Sequence, residues 1–368
     1  MNKNKVKSLY IHIPFCAHIC KYCDFTKLIY NEDFARKYVD VLLYELDSYK
    51  VGEFDTIYVG GGTPTSLGDE SFKRILNELK KHLSKDYEFT VEANVENLSK
   101  EKLRIMKDAG VNRLSIGIES TNDKMLKSIN RHHTFIDALK VIKEAKEVGF
   151  DNINVDLIYG LPNESIDDLK KDLKNIISLD VPHISIYSLI VEKGSIFYNE
   201  GVREQDEDSS REHYDLILKT LRENGFERYE ISNFAKDKKY SRHNLTYWRD
   251  EEYYGIGLGA SGYLNGKRYK NTSSLKKYLN KEFIDEIEEY DPKRELEDYL
   301  LTNLRLEQGF KKIDFEKRFN VSFEIKFKDV LDDLILKGFI KLSKDSIMLS
   351  DDGLMILDSI LVKLYEHC

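Results

Sequence analysis

Short runs of β-branched and aromatic residues recur through the first two thirds of this chain, and each is followed by a longer segment of helical period. The strand-like runs are residues 7–13, 54–59, 87–93, 112–118, 152–158 and 183–190. The helical segments are 33–49, 70–83, 100–109, 135–148, 166–179 and 209–224. Antiparallel neighbours can be joined by a two-residue turn, but strands separated by whole helices pair in parallel through crossovers. The alternation therefore predicts an α/β fold with a parallel sheet, and six units predict a barrel that stays incomplete. After about residue 292 the pattern changes to helices at 295–306, 312–319 and 323–337, two short strands at 339–342 and 347–349, and a last helix at 352–365. That order predicts a small α+β module of winged-helix type.

With 368 residues the chain can bury one large core and a smaller one. A division into 1–235, 236–292 and 293–368 follows from the pattern, the middle piece connecting barrel and module. There are 57 Lys+Arg against 65 Asp+Glu, and 10 against 11 within 309–368. Neither balance suits a grip on nucleic-acid phosphates, although winged-helix modules often bind DNA. Hydrophobic residues make up 41% and charged ones 33%, which is a globular rather than a disordered composition. No apolar run reaches the length of a membrane span. The opening Met-Asn-Lys-Asn-Lys-Val-Lys has no hydrophobic stretch after it, so a secretory signal is not expected and a cytoplasmic, reducing location is.

Three of the four cysteines, Cys16, Cys20 and Cys23, lie within eight residues, and Cys368 stands alone at the other end. Such crowding predicts a metal site rather than a disulfide framework. Soft thiolates favour zinc, copper(I) or iron-sulfur clusters. Structural zinc takes four protein ligands, and no second Cys-x-x-Cys or His-x-x-x-His pair is present to complete a set. His18 could complete a zinc knuckle; His12 sits within a strand-like alternation. A cubane cluster on three thiolates leaves one iron open to a ligand.

The other chemically suggestive groups fall at successive strand ends. The cysteine loop follows the first strand and Gly60-Gly-Gly-Thr-Pro-Thr65 the second; Glu92 ends the third, Glu119 ends the fourth and Asp156 lies on the fifth. In β/α barrels that rim carries the active site. The three glycines allow close backbone approach to a ligand, or form a plain tight turn; no Lys-Ser/Thr follows to make a phosphate-binding loop.

Cys16-x-x-x-Cys20-x-Tyr22-Cys23 resembles the cluster motif of radical S-adenosylmethionine (SAM) enzymes. The resemblance implies a [4Fe-4S] cluster whose open iron chelates the amino and carboxylate groups of SAM, and which cleaves the sulfonium to a 5'-deoxyadenosyl radical. It extends over nearly the whole chain and narrows to the oxygen-independent coproporphyrinogen III oxidases and their haem-chaperone relatives. Carried over position by position, it implies SAM contacts from Tyr10, Tyr22, Gly61, Gly62, Thr63, Glu92, Glu119, Arg131 and Asp156, with Ser188 contributing backbone. Carboxylates suit ribose hydroxyls and an ammonium group, and Arg131 suits the methionyl carboxylate. Each acid taken singly would read as a solvated or strand-capping group. Glu119 stands where the family often has glutamine.

Three features separate the two branches. The decarboxylases have a further cysteine two residues after the third ligand, whereas Asp24-Phe25 follow Cys23 here. They carry an N-terminal arm, for which the fifteen residues before Cys16 leave no room. His243-Asn-Leu-Thr-Tyr-Trp248 matches the His-Asn-x-x-Tyr-Trp signature of the chaperone branch and holds the only tryptophan. The resemblance thus implies binding of haem or porphyrin, delivery to an acceptor protein, an electron donor such as flavodoxin or ferredoxin, and room for peripheral membrane contact. The alternative is oxidative decarboxylation of coproporphyrinogen III. His243 could be an axial haem ligand, or could order a loop with Trp248 packed on the open side of the barrel. The glycine-rich stretch 255–262 is expected to be a loop closing over SAM or substrate.

Overall fold

The structure is a computed structural model that describes residues 6–368; the first five residues, used above in the argument about a signal, lie outside the described residues. Six strands, β1 (Ser8–Ile13), β2 (Phe54–Gly61), β3 (Leu83–Asn94), β4 (Arg113–Glu119), β5 (Ile153–Tyr159) and β6 (His183–Ser188), run parallel in chain order. Helices cover their outer face, so the strands are buried on both sides and read as near-continuous apolar runs. All seven residues of β4 are buried. The helices begin at α1 (Glu32–Ser48), α2 (Asp69–Lys80), α3 (Lys100–Asp108), α4 (Phe135–Val148), α5 (Ile166–Ser178) and α6 (Glu207–Glu223). Their starts are written locally: Asn31 and Ser99 cap α1 and α3, while Thr134 with Asp137 and Ser165 with Asp168 form capping boxes on α4 and α5. β3 begins at Leu83, four residues before the expected 87, because its first residues pair beside Phe54 across an irregular register.

The sheet does not stop at six strands. β7 (Glu227–Arg228) and β8 (Asn233–Ala235) add antiparallel beyond β6. On the other edge, β9 (Tyr253–Ile256) pairs parallel with β1, Ser8 opposite Tyr253 and Ile11 opposite Ile256. β10 (Ser261–Leu264), β11 (Lys267–Asn271) and β12 (Ile284–Glu289) then continue outward antiparallel. The order is β12-β11-β10-β9-β1-β2-β3-β4-β5-β6-β8-β7. Residues 255–262 are thus mostly strand and buried turn, not a loop closing over a site. Gly257 N–H donates to Glu45 Oε2 at 3.0 Å and Leu258 N–H to Tyr38 Oη at 3.1 Å, which ties the turn to α1. Glu45, fully buried, also accepts from Asn271 and Tyr278 at 2.6 and 2.5 Å.

The last part has its own apolar core around Phe315, Phe323, Phe327 and Leu364. Its helices are α8 (Pro292–Asn303), α9 (Lys312–Phe319), α10 (Lys328–Leu336) and α11 (Leu357–Tyr365), with α7 (Arg242–Trp248) preceding them in the chain. A third strand, Phe310–Lys311, joins the two expected ones, and its partner is Ser346–Leu349. The module meets the sheet through ion pairs: Asp250 accepts from Arg268 at 2.9 Å and Arg318 at 2.7 Å, and Arg228 pairs with Glu307 and, at 2.6 Å, Asp351. Among the described residues, no helix is long and apolar enough to cross a membrane.

Candidate functional site

A cavity of about 490 Å³ opens at the carboxyl ends of the parallel strands. It gathers residues from seven stretches of chain: Cys16, Cys20, Tyr22 and Cys23; Gly61, Gly62 and Thr63; Glu92; Glu119; Arg131; Asp156; and Ser188. These are twelve of the fourteen residues singled out from sequence. Tyr10 and His243 do not line it.

The three thiols are free and partly or wholly buried. Gly62 makes room for the first: a Cβ there would lie 2.8 Å from Cys16 Sγ and 2.8 Å from the Pro14 carbonyl carbon. The strand-end loops are pinned so that this approach is kept, Gly62 N–H donating to Ile13 O and Thr63 N–H to Phe15 O, both at 2.8 Å. Thr63 Oγ1 lies 3.6 Å from Cys16 Sγ, and Arg131 Nη1 lies 3.7 Å from Cys20 Sγ. Burial pushes the Cys16 thiol up and the Cys23 thiol up to about 11. Thiols held in this way become thiolates only beside added positive charge, and a metal cluster provides it. Three thiols line one cavity, and among the described residues no group of His, Cys, Asp or Glu is close enough to hold a single metal ion, which suits a polynuclear iron-sulfur cluster better than structural zinc. When bound, a [4Fe-4S] cluster supplies one-electron reduction and an iron free of protein ligands.

Acids dominate the rest of the wall. Burial raises Glu92 to about 7, although it accepts from Tyr58 Oη at 2.7 Å and Gly61 N–H at 3.1 Å. Burial likewise raises Glu119 to about 7 against the pull of Arg131, and raises Asp156. Asp156 is oriented by Asn154 at 2.8 Å and Ser115 at 3.3 Å. Glu119 has a left-handed backbone, φ 69°, at a register break in β4, an uncommon state for a non-glycine residue that clusters at functional sites. Gly117 permits the fold-back, since a Cβ there would meet Glu119 Oε1 at 2.7 Å and Arg131 Nη2 at 3.2 Å. Arg131 is buried; it donates to Gly117 O and stands 3.8 Å from Glu96. One guanidinium among three carboxyls of the wall, Glu119 buried and Glu92 and Asp156 half-buried, suits a ligand that carries a carboxylate at one point and positive charge elsewhere.

Several residues of the wall escaped sequence reasoning: Tyr58, Asn94, Ser115, Gly117 and Tyr187; His18, which the sequence offered only as a zinc ligand, lines it as well. The period of 2 could have found Tyr58, which shares a strand face with Gly60 and Gly62. Asn94, which donates to Thr63 Oγ1 at 3.0 Å, shares a face of β3 with Glu92 in the same way. Tyr187 comes from β6, whose exposed end faces the cavity.

Tyr10 stands one layer below, its hydroxyl 3.0 Å from His12 Nδ1 and its ring stacked on Tyr58 at 6.2 Å. His243 also stands apart from the cavity wall. It is fully buried on α7, with Nδ1 2.8 Å from Thr56 Oγ1, Nε2 2.8 Å from Tyr247 Oη, and its backbone N–H donating to Glu88 at 3.0 Å. Burial lowers its pKa to about 3. Both ring nitrogens are engaged inside the protein, an arrangement that suits the ordering role. It fastens α7 to β2 and β3, and Trp248 lies under the Arg305 guanidinium at 5.4 Å.

Comparison with known proteins agrees with this architecture. Residues 10–176 match the radical SAM superfamily and residues 290–356 the HemN C-terminal domain. Proteins named heme chaperone HemW are similar over nearly their full length. The one from Bacillus subtilis is 39% identical over 95% of this chain and 97% of its own; that from Lactococcus lactis is 37% identical over 98% and 97%. The one from Escherichia coli is 30% identical over 96% and 97%. Among solved structures, coproporphyrinogen III oxidase (HemN) from Escherichia coli, described as a radical SAM enzyme, superposes with a TM-score of 0.85. It covers 99% of this chain and 91% of its own at 19% identity, a likeness of fold alone. With three cluster-spaced thiols at the rim of a partial barrel and full-length similarity at up to 39% identity, this chain belongs to the radical SAM superfamily and, within it, to the HemW family.

Proposed function

We propose that this protein is a cytoplasmic haem chaperone, which binds haem and passes it to an acceptor protein. The observation that carries the reading is full-length similarity to proteins named heme chaperone HemW, joined to Asp24-Phe25 in place of a cysteine after the third thiol. Cys16, Cys20 and Cys23 hold the cluster. Tyr22, Gly61, Gly62, Thr63, Glu92, Glu119, Arg131, Asp156 and Ser188 bind SAM, with Arg131 on its carboxylate and the acids on its cationic and hydroxyl groups; Tyr10 supports them from below through His12 and Tyr58. An electron donor of flavodoxin or ferredoxin type serves the cluster, and a membrane-bound acceptor would need only peripheral contact. Separate cores in the sheet and in the last module support a division at about residue 292, within the scheme 1–235, 236–292 and 293–368.

The test is an anaerobic pair of assays on cluster-reconstituted protein, haem binding beside conversion of coproporphyrinogen III. Saturable haem binding without decarboxylation is expected. Robust formation of protoporphyrinogen IX would overturn the reading.

A further inference from the structure

The histidines divide sharply by what their ring nitrogens do. His12 bridges Tyr10 Oη at 3.0 Å and Thr26 O at 2.8 Å; His183 bridges Asn154 at 2.6 Å and Tyr229 at 2.9 Å; His243 is engaged at both nitrogens as described. His133 faces Glu96 at 3.2 Å and His213 faces Ser209 O at 2.7 Å, and both are buried. His18 differs. It is exposed, it lines the cluster cavity, and neither of its ring nitrogens has a protein partner among the described residues. Its ring lies flat on that of His132, with centroids 3.7 Å apart and planes 14° from parallel. His132 is itself anchored, Nε2 lying 3.3 Å from Asn130 Oδ1.

Three large apolar side chains stand exposed in the wall of the cavity that His18 lines. Phe25 is 65% exposed, Ile190 57% and Tyr187 42%, and all three line the same cavity. Exposed apolar groups that line one cavity offer contacts to an apolar ligand. An unpartnered imidazole, flat apolar faces and an open mouth are what an iron macrocycle requires, because histidine is the usual nitrogen donor to haem iron and aromatic rings stack on large π-systems. The interior argues for the mouth over the depth. Glu92, Glu119 and Asp156 would repel the two propionates, which therefore face outward to solvent.

Resting on the haem-chaperone reading, we propose that haem docks across the mouth of the cluster cavity, with His18 as axial ligand, His132 as the positioning residue that holds its ring, and Phe25, Tyr187 and Ile190 against the macrocycle. His18 lies between two cluster cysteines, so the haem and the cluster would sit side by side on one loop.

The test titrates ferric haem into full-length, cluster-reconstituted protein under anaerobic conditions, followed by difference absorption and EPR, with iron and sulfide content measured on every variant. Wild type is expected to show saturable binding with an imidazole-ligated ferric signal. His18→Ala should lose that signal and bind at least tenfold more weakly, while His132→Ala should keep the ligand but broaden the signal. Phe25→Ser and Ile190→Ser, outside the thiol triad, should each weaken binding several-fold with unchanged cluster content. If His18→Ala keeps the wild-type spectrum and affinity, the site is refuted and the function stands. Should His18→Ala lose its cluster, unchanged affinity in both Phe25→Ser and Ile190→Ser refutes the site instead. Absence of any haem binding by wild type refutes the haem-chaperone reading itself.

Discussion

Glu92 is a half-buried acid whose presence weakens the fold at the pH where it serves a ligand, and Glu92→Gln measures that conflict. Burial raises its pKa from 4.5 to about 7. A carboxyl raised in the folded state resists ionisation there, so no penalty exists below about pH 4.5, it grows as pH climbs towards 7, and it is complete above. The full penalty is about 3 kcal/mol, at roughly 1.4 kcal/mol per pH unit. Glutamine removes it, but imperfectly replaces the hydrogen bonds from Tyr58 Oη and Gly61 N–H, a loss of about 1 kcal/mol. The cluster-free variant should therefore be about 2 kcal/mol more stable than wild type at pH 8, and equal or slightly less stable at pH 5. Urea denaturation followed by circular dichroism at both values reads the difference directly. SAM affinity of the cluster-loaded variant should fall about tenfold or more, because a charge-assisted hydrogen bond is lost. An identical stability difference at pH 5 and pH 8 would refute the reasoning, since Glu92 would then ionise as an ordinary surface acid does.

Gly62→Ala places a methyl group 2.8 Å from Cys16 Sγ; overpacking of this kind costs about 1–3 kcal/mol, and iron content after reconstitution should drop sharply. Alanine at Cys16, Cys20 or Cys23 should abolish the cluster's visible absorption in each case. His243→Ala should lower stability by about 2–4 kcal/mol, through a cavity and orphaned partners at Thr56 and Tyr247, yet leave the haem spectrum of the folded protein unchanged. Asp250→Ala leaves Arg268 and Arg318 facing each other, and should loosen the seam between sheet and module by about 2 kcal/mol, visible as faster proteolysis after residue 290.

How much of this was legible in the sequence differs from element to element. The six parallel strands were readable because burial on both faces gives them long apolar runs, and the rim residues because each follows a strand. Cys16 thus came out of spacing, whereas order placed Gly62 and Glu92 at strand ends and the family resemblance implied their role. β9 to β12 were not readable, since Gly255–Gly262 has the composition of a loop and its strand character comes from β1 and from Glu45, which lies more than two hundred residues away. His243 was open between two roles for a related reason: nothing local distinguishes a histidine that meets a ligand from one that bonds Thr56 across the fold. Gly117 was silent for want of a side chain, although it is what lets Glu119 turn back towards Arg131. His18 was weighed for zinc, and only the structure set it beside His132.

The pairing of β9 with β1 carries a consequence for how the protein is made. β1 is the first strand to leave the ribosome, and its partner on that side follows some 245 residues later. Until then β1 has an open parallel edge beside the cysteine loop, and unpaired edges recruit other chains. Contacts of such sequence separation form slowly. A chain interrupted anywhere before Tyr253 would hold all three thiols and the acids Glu92, Glu119 and Asp156 yet lack the strand that pairs with β1 on that side. Closure of the sheet beside the cysteine loop thus waits for the last third of the chain, and over that interval the open edge of β1 is where chaperones would have to act.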